Sequence, residues 1–139
     1  MKTKFDSIVK VKKQAIDNIQ RNIQKINASI QRLKEEIDSL NSSFLSLEIP
    51  KEGNFAILNQ IKHQQSILRD EIKRLENQVV ILENRKREFL EELKKANIEY
   101  EKMKYLQSEE IKKELKRLKL KELREMDELA ILLRKSNES

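Results

Sequence analysis

His63 is the single histidine of the chain, and there is no cysteine. A zinc or other transition-metal centre needs several nitrogen, sulfur or oxygen ligands converging on one point. His63 sits between Ile61 and Gln65 on what would be the outer face of a helix, without companions, so a solvated imidazole is expected, with no metal and no cofactor. The 24 acidic side chains are enough for acid–base chemistry in number, but a catalytic pair has to meet in a concave pocket. Their surroundings point to rods rather than pockets. A phosphate-cradling loop needs several glycines, and the chain has one. No catalytic residue and no enzymatic activity are expected.

Charge offers more. Lys112 to Lys121 holds six basic side chains and one acidic, and Glu122 to Glu128 holds four acidic and one basic. A basic run can bind nucleic acid through phosphates. This one has no aromatic side chains interleaved for stacking on bases, and an acidic stretch adjoins it. A dipolar helix suits a protein surface of complementary charge better, so a protein partner is expected and nucleic acid is not. The net charge of +6 is spread along the chain and fits a solvated helical surface.

The elements that carry these charges follow from a heptad repeat. Val9, Ile16, Ile23, Ile30, Ile37 and Phe44 hold one repeat position; Phe5, Ile19, Ile26, Leu33, Leu40 and Leu47 hold the other, interrupted by Lys12. Alternating spacings of three and four place them on one narrow stripe, which another helix must bury. A second seam runs through Leu58, Ile61, Gln65, Leu68, Ile72, Leu75, Val79, Leu82, Lys86, Phe89, Leu93, Ala96, Tyr100 and Met103. It then slips by four residues through Gln107, Ile111, Leu115 and Leu118, a stutter that locally unwinds a supercoil. Lys12, Gln65, Lys86 and Gln107 are polar seam positions of the kind that fix alignment at some cost in stability.

Between the seams lies Glu48-Ile49-Pro50-Lys51-Glu52-Gly53-Asn54. Pro50 pushes Ile49 out of helical geometry, Gly53 lets the backbone reverse, and Asn54 or Gly53 can cap the next helix. So short a connection makes antiparallel neighbours. The expected fold is all-α: one domain over residues 1–139, an antiparallel two-helix coiled-coil hairpin with helix one over about 5–47, a turn over about 48–54 and helix two over about 55–135. Acid-before-base pairs at four-residue spacing, Asp70–Arg74, Glu83–Arg87, Glu91–Lys95 and Glu109–Lys113, should each add roughly 0.2–0.5 kcal/mol.

The helices are unequal, roughly 64 Å against roughly 120 Å at 1.5 Å per residue. With the turn centred near Lys51, Phe5 faces a residue near Asn97. Helix two then overhangs at its C-terminal end from about Ile98 to about Lys135, roughly 55 Å of helix. This overhang carries Tyr100, Met103, Tyr105, Leu106, Ile111, Leu115, Leu118, Leu120, Leu123, Met126, Leu129, Ile131, Leu132 and Leu133. An isolated helix with that much apolar surface calls for a partner.

Composition bounds the alternatives. Aromatic residues are 4% and charged residues 39% of the chain, with one glycine and one proline, too few apolar side chains and turns for a broad globular core or a long sheet. No apolar run reaches the length of a membrane span, and Met1–Asp17 lacks the apolar core of a secretory signal. A soluble, intracellular protein is expected, and the absence of cysteine is compatible with a reducing cytosol.

The stretch Lys121-Glu-Leu-Arg-Glu-Met-Asp-Glu-Leu-Ala130 resembles the closing signature of the FliJ family of flagellar type III export proteins, whose long second helix ends in an acidic-Leu-Ala motif, here Met126-Asp127-Glu128-Leu129-Ala130. The opening Phe5-Asp-Ser-Ile-Val-Lys-Val-Lys-Lys13 is similar to the family's start, and Glu99-Tyr-Glu-Lys-Met-Lys-Tyr-Leu106 resembles its divergent branch. Size and hairpin layout agree over the whole chain. The resemblance implies a cytoplasmic, non-enzymatic coiled coil similar to the central stalk of rotary ATPases, peripherally associated with the membrane export apparatus and not inserted in the membrane. Its implied partners are the hexameric flagellar export ATPase ring, the export-gate membrane protein and, for some members, substrate chaperones. On this reading Tyr100, Met103, Tyr105, Leu106, Ile111, Leu115, Leu118, Leu123, Met126, Asp127, Glu128 and Leu129 on the overhang meet a partner.

Two other classes fit parts of the pattern. A self-assembling structural coiled coil would pair its overhang with another copy. A prefoldin-like chaperone also uses helical hairpins, but inserts β-hairpins between them, for which the seven-residue linker is too short.

Overall fold

The computed structural model describes residues 2–47 and 53–138. They form two helices packed against each other, α1 (Asp6–Ser46) and the longer α2 (Phe55–Glu138). Both bounds agree with the expected ones to within a turn. The turn expected around Ile49, Pro50 and Lys51 lies outside the described residues.

Each helix starts on a side-chain cap. The Thr3 hydroxyl accepts the Phe5 amide at 3.2 Å, while the Asp6 carboxylate accepts the Thr3 amide at 3.0 Å and the Thr3 hydroxyl at 2.7 Å. This is a reciprocal capping box, which satisfies amides that the first turn leaves without helical partners. At α2, Asn54 Oδ1 accepts the Ile57 amide at 2.9 Å, the cap expected of Asn54.

Both seams are where the heptads put them. In α1 every seam position from Phe5 to Leu47, Lys12 included, is buried or half-buried. In α2 the same holds from Leu58 through Ile111, past the stutter, and it ends before Leu115. Ile8, Val11 and Leu45, apolar but off the seam, are exposed.

The chain packs as two compact units, Asp17–Lys94 and Met1–Ile16 with Lys95–Ser139. In the Asp17–Lys94 unit, Leu75 is 2% exposed and Ile30 is also buried. Lys34 Nζ lies 3.9 Å from Glu83 Oε1, and the Arg69 guanidinium sits 5.5 Å from the centre of the Phe44 ring. In the other unit Ile16 is buried, Lys13 Nζ lies 5.7 Å from the Tyr100 ring centre, and Gln107 Nε2 donates to Asp6 Oδ1 at 2.9 Å. Within each unit α1 descends in number as α2 ascends, so the pairing is antiparallel.

These contacts correct the expected register. Asp6 meets Gln107, so the N-terminal end of α1 faces a point well beyond Asn97. Correspondingly, Ser46 and Leu47 border a groove with Gln64, Ile67 and Leu68, so the first turns of α2 precede its pairing with α1. Heptad seams permit several such alignments, and the Asp6–Gln107 bond is made only in this one.

The surface ion pairs also differ from those expected. Arg74 pairs with Glu71 at 2.5 Å rather than with Asp70, Lys112 with Glu109 at 3.4 Å where Lys113 was expected, and Glu83 reaches across to Lys34 rather than along the helix to Arg87. Spacings of three and four both bring side chains together on a helix, with energies that differ by tenths of a kcal/mol. Local rotamers therefore decide between them.

Candidate partner-binding surface

α2 outruns its partner near Ile111. Ile111 and Glu114 are half-buried, and every residue from Leu115 to Glu138 is exposed. The free run is thus residues 112–138, roughly 40 Å at 1.5 Å per residue, shorter than the overhang expected from Ile98.

The residues expected to meet a partner fall into two groups. Tyr100, Met103, Leu106 and Ile111 are half-buried. Tyr100 is flanked by Lys13 of α1 and by Lys104, whose amine lies 5.2 Å from the ring centre. Tyr105 shares this stretch but is 64% exposed. Leu115, Leu118, Leu123, Met126 and Leu129 are exposed on the free run, together with Asp127 and Glu128. Exposed Leu120, Ile131, Leu132 and Leu133 add to its apolar surface.

At 100° per residue, Ile111, Leu115, Leu118, Met126, Leu129 and Leu133 share an arc of about 80° on α2. Leu115 and Leu118 of this arc lie within the basic segment, and Met126 lies within the acidic one. The run is locally braced by Glu114, which accepts from Arg117 with Oε1–Nη2 at 2.6 Å; that bond holds the Glu114 carboxyl below its ordinary range. Such an exposed pair adds little stability.

The base of the free run is tied down by a polar junction that heptad reasoning missed. Asp6 accepts from Gln107, from the Thr3 hydroxyl and from the Thr3 amide, and these bonds, in that order of weight, lower its pKa from 3.8 to about 2. Two signals were present in the sequence: the Thr3-x-x-Asp6 capping pattern and the polar seam residue Gln107. A depressed carboxylate pKa stabilises the folded form above the ordinary value and loses that contribution as pH falls through the folded one. The Thr3–Asp6–Gln107 junction should therefore be intact above pH 4 and open between about pH 4 and about pH 2. Side-chain amide resonances of Gln107 followed by NMR should shift in that window, and Asp6→Ala should abolish the shift. A flat titration of the wild-type protein would show that the junction does not form.

Other concavities are open furrows. One of about 520 Å³ runs between Asn27, Ile30, Gln31 and Lys34 on α1 and Glu83, Lys86, Arg87 and Leu90 on α2. No group of three or more histidine, cysteine or acidic side chains is placed to hold a metal among the described residues. His63 is exposed. No described helix is long and apolar enough to cross a membrane.

The arrangement offers an exposed, apolar-striped helical face. The family described as "Flagellar FliJ protein" matches residues 1–139. No curated protein and no solved structure is similar enough to match. With the family match covering the whole chain, and two antiparallel helices of unequal length as the resemblance led one to expect, the chain belongs to the flagellar FliJ protein family of non-catalytic components of the flagellar export apparatus.

Proposed function

We propose that this chain is a cytoplasmic stalk that engages the hexameric ring of the flagellar export ATPase through the free end of α2, promotes ring assembly, and contacts the export-gate membrane protein through its paired segments. Escort of substrate chaperones belongs to the same reading. The observation that carries it is the run from Leu115 to Glu138, exposed at every position and striped with leucine. An amphipathic helix of this kind lays its apolar face into a groove of a partner. The dipolar charge sequence, basic to Lys121 and acidic from Glu122, would orient it there.

The test is the rate and ring assembly of the purified flagellar export ATPase, with full chain and with a truncation ending at Lys112. That truncation keeps the seam through Ile111 and the Asp6–Gln107 bond. Stimulation by the full chain and its loss with the truncation are expected. Equal stimulation by both forms would move the contact to the paired segments; no stimulation by either would remove the ring from the reading.

A further inference from the structure

The apolar stripe of the free run has a symmetry that the ring reading does not use. Its positions are 111, 115, 118, 122, 126, 129 and 133, spaced four, three, four, four, three and four. The series reads the same in both directions about Glu122, the one charged residue in the arc. The charges are ordered the other way: the basic segment precedes Glu122 and the acidic segment follows it.

We infer that the free run of α2 pairs antiparallel with the same run of a second copy, on a two-fold axis at Glu122. This pairing sets Leu115 against Leu129 and Leu118 against Met126 of the second copy, each contact occurring twice, as an isologous interface requires. Beside the seam it brings Lys121 to Glu125 of the second copy, a pair that the two-fold axis repeats, and it lays the whole basic segment of one copy along the acidic segment of the other. A parallel pair would also align the stripes, but it would stack basic on basic and acidic on acidic, which costs energy in a helix pair. The charge order therefore selects the antiparallel pair and a second copy as occupant. Position favours it too, since the matched stripe begins at Ile111, where pairing with α1 ends.

Glu122 sets the strength. On the axis it faces its own copy, and two carboxylates brought together in an apolar seam oppose association. The pair is accordingly weak and reversible, and it covers the leucines that a ring would engage. It stands without the ring reading and is tested in the absence of ATPase.

Sedimentation equilibrium on the full chain reads the strength. Glu122→Leu should tighten the dimer at least about tenfold, since it removes the facing carboxylates and completes the stripe. Lys121→Glu should weaken it by about tenfold or more, and adding Glu125→Lys should restore it. Because the chain has no cysteine, geometry can be read by oxidative cross-linking. Glu122→Cys should cross-link copy to copy, and Leu115→Cys should not, because it faces Leu129. A chain that stays monomeric with Glu122→Leu, charge variants without effect, or cross-linking of Leu115→Cys as efficient as that of Glu122→Cys would each overturn the pairing.

Discussion

Leu75→Ala is expected to lower the free energy of unfolding by about 3 kcal/mol, within the range for leucine truncated in a packed core. Leu75 is 2% exposed, matched among the described residues only by Ile16 at the same value. A two-helix seam has no third layer to settle into the space left by the lost methyls, so the cavity opens against α1 and its lining loses contacts outright. Leu118→Ala supplies the contrast: on the free run, and exposed, it should change monomer stability by less than about 0.5 kcal/mol. Denaturant titration followed by circular dichroism, at protein concentrations low enough to exclude association, measures both. A Leu75 variant as stable as the Leu118 variant would mean that the seam is not tightly interlocked at its most buried point.

That seam was legible because its period is a local property. A residue such as Ile16 or Leu75 is assigned to the buried face by its neighbours three and four positions away, and burial follows wherever a partner is present. Register is different. Two heptad seams slid past one another by seven residues still place apolar against apolar, so the repeat leaves several alignments of similar energy. The choice among them rests on a few specific contacts, such as Asp6 with Gln107, between residues too far apart in sequence for any local pattern to link. The register also decides which candidate residues lie on the free run. Tyr100, Met103 and Leu106 were placed on the overhang and are half-buried instead, while Leu115, Leu118, Leu123, Met126 and Leu129 do lie on a free helix. The ion pairs were illegible for another reason: at energies of tenths of a kcal/mol, pattern does not separate a partner three residues away from one four away.

If polar seam residues fix alignment, replacing one should raise stability and lower specificity together. Lys86 is the sharpest case. It takes the seam position between Leu82 and Phe89, is half-buried, and lines the furrow that holds Ile30, Gln31 and Lys34. Its stem can lie along the apolar seam while the amine reaches water in the furrow, an arrangement that an alignment placing the residue deep between helices would not allow. Lys86→Leu replaces that stem with a side chain able to bury fully, and a gain of roughly 1–2 kcal/mol is expected from the added apolar area. It also removes the penalty on alternative partners. The variant should melt at higher temperature yet show larger species in sedimentation that the wild-type chain lacks at the same concentration. A Lys86→Leu chain less stable than wild type would mean that the amine makes an interaction the fold depends on. One that is more stable but unchanged in assembly would leave the alignment to Gln107 and its bond to Asp6.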